Sequence, residues 1–167
     1  MTGIDLPDSA AAGTALSDSS VKARRAARVA AVQALYQRDM NDISARSVIA
    51  EFGSYRLDDT VDAELFGQLV AGVDENLAEV DARISGALVE GWALDRLETV
   101  LRAIFRAAVW ELSYRWDIPA RVTISQYVEI AHAFFDGREP AMVNGLLDRV
   151  AHELRAQEFD RNAPGDR

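Results

Sequence analysis

The 167-residue sequence contains no cysteine, only four prolines, and no apolar run long enough to span a bilayer. Without cysteine, the chain can form neither disulfides nor metal sites with thiolate ligands. A transmembrane helix needs about 20 predominantly apolar residues, so we expect no membrane contact. The lack of thiols fits a reducing compartment, and we expect a cytoplasmic protein.

Patterns that support catalysis are also missing. The two histidines, His132 and His152, have no cysteine or H-x-x-x-H partner, so we expect no metal site. The sequence has no G-x-S-x-G nucleophile elbow, and Gly72 and Gly91 stand alone instead of forming a phosphate-binding loop. We therefore expect no cofactor and no enzyme.

The charge is unbalanced, with a formal net charge of -9. A strongly acidic protein repels phosphate backbones on average, so binding to a nucleic acid requires a local basic patch. Residues 19–38 form such a segment, because they include no acidic side chain and five basic ones: Lys22, Arg24, Arg25, Arg28 and Arg38.

Apolar residues recur every three to four positions along most of the chain, which predicts an all-α bundle of about seven helices in two subbundles. Ser19 and Ser20 are the expected cap of the first helix, residues 61–89 form a long amphipathic stretch, and residues 94–116 should be the most buried helix. We expect a disordered tail at residues 1–20, one helical domain at 21–158, and a C-terminal tail at 159–167.

The first basic segment conflicts with the apolar stripe of its own helix. At 100° per residue, Arg24, Arg25 and Arg28 span an arc of about 100° that overlaps this stripe. Arginines do not share a dry core, so the first turns should overhang the bundle, with burial starting at Val29. An exposed arginine cluster suits phosphate oxygens, although a merely solvated helix start would have the same composition.

Six strings of residues, in order and at similar spacing, resemble conserved segments of the NusB family of transcription antitermination factors. The resemblance covers about residues 22–152. The strings are ARRAARVAAVQALY (23–36), FGQLVAGVDEN (66–76), WALDRLETVLRAIFRAAVWEL (92–112), DIP (117–119), ISQYVEIA (124–131) and VNGLLD (143–148).

This resemblance implies an all-helical protein that binds boxA-type single-stranded RNA without a cofactor. It also implies two partners: NusE, a small-subunit ribosomal protein, and an RNA polymerase antitermination complex on ribosomal RNA operons. Some members of the family self-associate, so a homodimer is left open.

The resemblance also implies site residues. Trp92 is expected to stack on a base, or else to be a half-buried packing residue, and Arg138 either reaches a phosphate or is a solvated loop tip. Ala141 stands where family members often have lysine, so one RNA-facing charge is missing. The full RNA-binding set is Arg24, Arg25, Arg28, Trp92, Arg138 and Met142.

Tyr36 and Leu101 resemble positions at the NusE-facing surface, although Tyr36 also fits a core aromatic. Polar residues that match family positions should form hydrogen bonds between helices, because polar groups on apolar faces need partners. These residues are Arg106, Glu111, Glu129 and Asn144.

Two other functions are open at this point. The first is a helical adaptor that binds only protein. The second is the NusB-like domain that precedes some RNA cytosine methyltransferases, which we do not expect because it requires a long catalytic domain beyond residue 167.

Overall fold

The structure, a computed structural model, describes residues 9–160, with side chains from residue 18 onwards. This part of the chain contains eight α-helices, a short 3₁₀ helix (Leu94–Arg96) and no strand, which confirms the predicted fold class. The α-helices are α1 (Ser9–Asn41), α2 (Ala45–Tyr55), α3 (Ala63–Glu75), α4 (Leu77–Ala87), α5 (Thr99–Tyr114), α6 (Ala120–Phe134), α7 (Glu139–Leu154) and α8 (Ala156–Phe159).

Helix α1 begins at Ser9, ten residues before the predicted cap at Ser19 and Ser20, so that predicted start is wrong. The helical conformation thus extends through residues 9–20. The rest of the predicted tails, residues 1–8 and 161–167, lies outside the described residues. Helix α1 ends before Asp42, whose positive φ of 51° is incompatible with a continued right-handed helix.

The long amphipathic stretch is two helices instead of one. Asn76 ends α3, and both its backbone N–H and its side-chain amide donate to the carbonyl of Gly72, at 3.1 and 2.8 Å. The side chain thereby satisfies a carbonyl at the helix end, as side chains that compete with the backbone often do. The apolar periodicity continues through this break, which is why the sequence pattern did not show it.

Helix α5 is the central helix, as predicted. Helices α1, α2 and α3 contact one another, α7 contacts α4 and α6, and α5 contacts members of both groups. Ten of its sixteen residues are buried, among them Phe105, Trp110 and Leu112.

Within the described range, no helix combines the length and apolarity that crossing a bilayer requires.

Gly72 allows α3 to approach α5 closely. A Cβ atom at this position would lie 2.2 Å from the indole atoms Cε2 and Nε1 of Trp110, which is far inside van der Waals contact. Gly67, five residues earlier in the same helix, has no atom within 4 Å of such a Cβ. The two glycines of α3 therefore differ in how closely another helix approaches them.

We expect Gly72→Ala to lower the free energy of unfolding by about 1–3 kcal/mol, because the added methyl group displaces a buried indole. Gly67→Ala is the matched control and should raise it by up to about 1 kcal/mol, because alanine favours helix without a clash. Urea unfolding followed by circular dichroism measures both. Equal effects of the two substitutions would contradict the close approach.

Candidate RNA interface

Three basic side chains, those of Lys22, Arg25 and Arg56, line a shallow groove of about 400 Å³ beside α1. Together with Arg24, which precedes Arg25 on α1, we call them the basic patch. Lys22, Arg24 and Arg25 come from α1, and Arg56 follows the last residue of α2. Lys22, Arg25 and Arg56 are exposed, while Arg24 is partly buried. Sequence reasoning missed Arg56, because only the packing of α2 against α1 brings it to the patch.

Arg25 is held by helix α6. Its Nε donates to the side-chain oxygen of Gln126 at 3.2 Å, and its guanidinium forms an ion pair with Glu129. Both members of the ion pair are about half exposed, so the pair is screened by solvent and contributes little stability. Arg25 can therefore exchange Glu129 for another anion at small cost.

Arg28 is buried, and its predicted role as a phosphate contact is wrong. Only 2% of the residue is exposed, and its Nη2 and Nε donate to the carboxylate of Glu111 at 2.6 and 3.0 Å. Burial on α1 already begins at Ala27, so the predicted overhang ends two residues before Val29. An arginine enters the core here because a carboxylate from α5 neutralises it.

Further partners complete this buried network around Glu111. The hydroxyl of Tyr127 donates to its Oε2 at 2.9 Å, and Thr123 lies 3.5 Å from its Oε1. Burial opposes the charge of Arg28, but the hydrogen bond and negative charge of Glu111 raise the pKa of Arg28 above its ordinary value. Burial and the charge of Glu111 also raise the pKa of Tyr127 well above its ordinary value, so the phenol stays protonated and keeps donating.

The prediction that family-like polar residues form bonds between helices is confirmed for three of the four. Glu111 joins α5 to α1, and Glu129 joins α6 to α1. Arg106 joins α5 to α4 through Asp81, with two hydrogen bonds of 2.9 and 3.0 Å. Asn144 is exposed on α7 beside a polar pocket, so the core does not require its polarity.

The structure brings Trp92, Arg138 and Met142 together in a groove of about 530 Å³ between α4, α5 and α7. Trp92 is 49% exposed and Arg138 is exposed, so both are accessible, and Met142 is partly buried. The lining is largely apolar, with arginine side chains that include Arg149. We call this the Trp92 groove.

The two predicted partner residues differ in accessibility. Leu101 is only 4% exposed and lies among the lining residues of the Trp92 groove, so it is not part of an exposed partner surface. Tyr36 is 39% exposed and lines a separate hollow together with Val100 and Phe134. We call this second region the Tyr36 surface.

The basic patch and the Trp92 groove lie near opposite ends of α5. Arg28, next to the patch, contacts Glu111 near the end of α5, whereas Leu101 lies near its start. Ten residues of α-helix separate these two positions, a distance of about 15 Å. A single ligand that reaches both regions must therefore be extended.

The comparison with known proteins decides the family. Residues 25–152 match the sequence profile of the NusB family. The chain belongs to the NusB family. Among its NusB relatives, transcription antitermination protein NusB of Rhodopseudomonas palustris (strain BisB18) is 44% identical over 146 residues, which cover 83% of this chain and 86% of the relative. The protein of that name from Caulobacter vibrioides is 43% identical and is covered over 99% of its length.

Solved structures of NusB proteins share the fold. The chain superposes on T. maritima NusB with a TM-score of 0.72 and 36% identity, covering 81% of this chain and 96% of that one. It also superposes on a chain of a complex described as antitermination factors NusB and NusE with dsRNA, with a TM-score of 0.64 and 25% identity over 77% of this chain and 96% of that one. NusB proteins are transcription antitermination factors and not enzymes, in agreement with the expectation from the sequence.

We expect Arg28→Met to lower the free energy of unfolding by about 3–5 kcal/mol, because it leaves the buried carboxylate of Glu111 without a counter-charge. The double variant Arg28→Met/Glu111→Gln removes both charges, and we expect it to recover most of that loss. Arg25→Met is the matched control and should change stability by less than about 1 kcal/mol, since its ion pair is exposed. Urea unfolding measures all three, and an Arg28→Met variant as stable as Arg25→Met would contradict a structural role.

Proposed function

We propose that this protein is an RNA-binding transcription antitermination factor of the cytoplasm. It binds boxA-type single-stranded RNA together with NusE and joins the RNA polymerase antitermination complex on ribosomal RNA operons. The observation that carries the proposal is the basic patch, an accessible cluster of positive charge on a chain with a net charge of -9.

The basic patch suits a phosphate backbone. Lys22, Arg25 and Arg56 are exposed around one shallow groove, and guanidinium groups bind phosphate oxygens with two parallel hydrogen bonds. The remaining surface is acidic on balance and repels RNA elsewhere. The patch thus provides orientation, while base contacts must supply sequence preference.

The Trp92 groove supports the base contacts. Trp92 presents about half of its surface to solvent, and single-stranded RNA is read through unstacked bases that pack on aromatic rings. Arg138 is exposed beside it and provides a cation for the adjoining phosphate. Leu101 at this groove and Glu111 near the basic patch are about 15 Å apart along α5, a length that an extended strand can follow.

The Tyr36 surface supports a protein partner. Tyr36 and Phe134 are both exposed and line the same hollow. Aromatic side chains are enriched at protein interfaces. Of the basic patch, Arg56 alone also lines this hollow, so the two regions meet at that residue. We therefore assign RNA to the patch and the Trp92 groove, and NusE to the Tyr36 surface.

The acidic balance predicts that RNA binding by the protein alone is weak. The carboxylates of a chain with a net charge of -9 repel the strand, and Glu129 competes with a phosphate for Arg25. A second protein that also contacts the RNA raises the affinity of the assembly by linking two weak contacts.

Fluorescence anisotropy with a labelled boxA-type RNA tests the proposal, with and without purified NusE, at two salt concentrations. We expect binding that strengthens with NusE and weakens with salt. A scrambled single strand and a duplex of the same sequence are the controls, and both should bind more weakly.

An adaptor that binds only protein is the second candidate function, and the exposed Tyr36 surface favours it. Binding of NusE without any RNA binding would support this candidate instead.

Substitutions in the basic patch and at Glu129, the ion-pair partner of Arg25, should change RNA affinity in opposite directions. Arg24→Ala with Arg25→Ala should weaken binding by roughly tenfold and reduce the dependence of affinity on salt, because two phosphate contacts are lost. Glu129→Gln should strengthen binding, because it releases Arg25 from its ion pair. The same anisotropy titration measures both.

Arg46→Ala is the matched control, since Arg46 is exposed at the far end of α2 from Arg56. It should leave RNA affinity nearly unchanged, and circular dichroism should show equal helicity for all variants. If the double variant binds as tightly as the unsubstituted protein, the assignment of the patch is wrong.

A further inference from the structure

Trp116 lies exposed in the turn between α5 and α6, next to the basic patch. It is 49% exposed, which is unusual for a residue type that is mostly buried. Helices α1 and α5 run antiparallel, because Arg28 pairs with Glu111 and Asp39 pairs with Arg102. Arg24, one helical turn before Arg28, therefore lies toward the end of α5 that leads into this turn. The turn and Arg24 thus lie at the same end of the bundle.

The indole ring of Trp116 is fixed in position. Its Nε1 donates to the backbone carbonyl of Ser113 at 3.0 Å. One side of the ring faces the guanidinium of Arg155, whose Cζ lies 5.2 Å from the ring centroid. Because Arg155 is fully buried, that side of the ring is covered, and the solvent-exposed area belongs to the rest of the ring.

Arg155 is itself immobilised beneath the ring. Its guanidinium donates to the carbonyls of Ile118, Arg115 and Leu112, at 2.7, 2.9 and 3.0 Å. These carbonyls belong to the end of α5 and to the turn that follows it, so Arg155 ties the two together. A ligand that contacts Trp116 meets a surface that is already ordered, so little conformational entropy is lost on binding.

The acidic residue beside Trp116 is neutralised. Asp117 accepts two hydrogen bonds of 2.9 Å from Arg115, and these bonds lower its pKa to about 2. At neutral pH the carboxylate is ionised and fully paired with that cation. Because Arg115 and Asp117 neutralise each other, the positive charge of Arg24 at this end of the bundle favours a polyanion over an acidic protein.

We propose that Trp116 is a stacking platform for one RNA base and extends the RNA interface from the basic patch onto the turn between α5 and α6. This inference rests on the proposed RNA-binding function. An exposed, fixed aromatic ring beside an arginine is the arrangement on which single-stranded bases stack, and stacking tolerates any base. Along α5 the Trp92 groove comes first, the basic patch second and Trp116 last. An RNA element that occupies the groove and the patch therefore meets the platform with the nucleotides that flank it and not with the element itself.

Three substitutions at Trp116 test the proposal, with RNAs that carry two extra nucleotides at either the 5′ or the 3′ end. In the presence of NusE, the unsubstituted protein and Trp116→Phe should gain affinity from one of the two extensions. Trp116→Leu and Trp116→Ala should lose roughly tenfold on that extended RNA and bind the short RNA normally. Their salt dependence should stay unchanged, because no phosphate contact is removed.

Each other outcome overturns the inference in a distinguishable way. If the unsubstituted protein binds RNA and Trp116→Leu binds the extended RNA equally well, the platform is wrong while the proposed function stands. If Trp116→Leu weakens binding to NusE in the absence of RNA, the residue is a protein contact. If the unsubstituted protein binds no RNA with NusE, both the platform and the proposed function fail.

Urea unfolding of Trp116→Leu and Trp116→Phe shows whether removing the aromatic ring from Arg155 disturbs the fold. A loss of RNA affinity that merely follows a loss of stability also overturns the platform.

Discussion

The ion pair of Arg28 with Glu111 is the constraint on which the arrangement of the surface depends. It joins the exposed start of α1 to the central helix α5, and both side chains are almost completely buried. Such a pair adds little net stability, because desolvation cancels much of the attraction. It does disfavour any rotation or sliding of α1, since every other position would bury a charge without its partner. The basic patch is therefore presented in one orientation.

The three arginines of the first segment illustrate how one sequence motif divides into different roles. They are separated by four residues at most, yet Arg28 is in the core, Arg24 is at its edge, and Arg25 is half exposed and paired with Glu129. The division follows from the helical geometry, because 100° per residue turns Arg28 toward Glu111 of α5 and Arg25 toward Gln126 and Glu129 of α6. A basic segment in a sequence thus does not give the number of cations that a ligand can reach.

Helix α5 also organises the distance between the candidate contacts. The Trp92 groove lies near its start, whereas the basic patch and the turn with Trp116 lie near its end. A single strand that follows this helix can place phosphates at the patch and bases at aromatic rings on either side. In the proposed assembly the protein partner uses the exposed aromatic residues of the Tyr36 surface, which meets the basic patch at Arg56.

The sequence by itself determined the all-helical class, the central position of α5, the family, and the positions of the basic segment and of Trp92, because periodicity and residue type are local properties of the chain. Only the tertiary structure decided that Arg28 and Leu101 are buried, that Arg56 joins the patch, and that Asn76 divides one amphipathic stretch into two helices. The physical reason is that burial depends on which side chain lies opposite. Glu111, the group that makes a buried arginine tolerable, is 83 residues away in the sequence, and no local pattern connects the two.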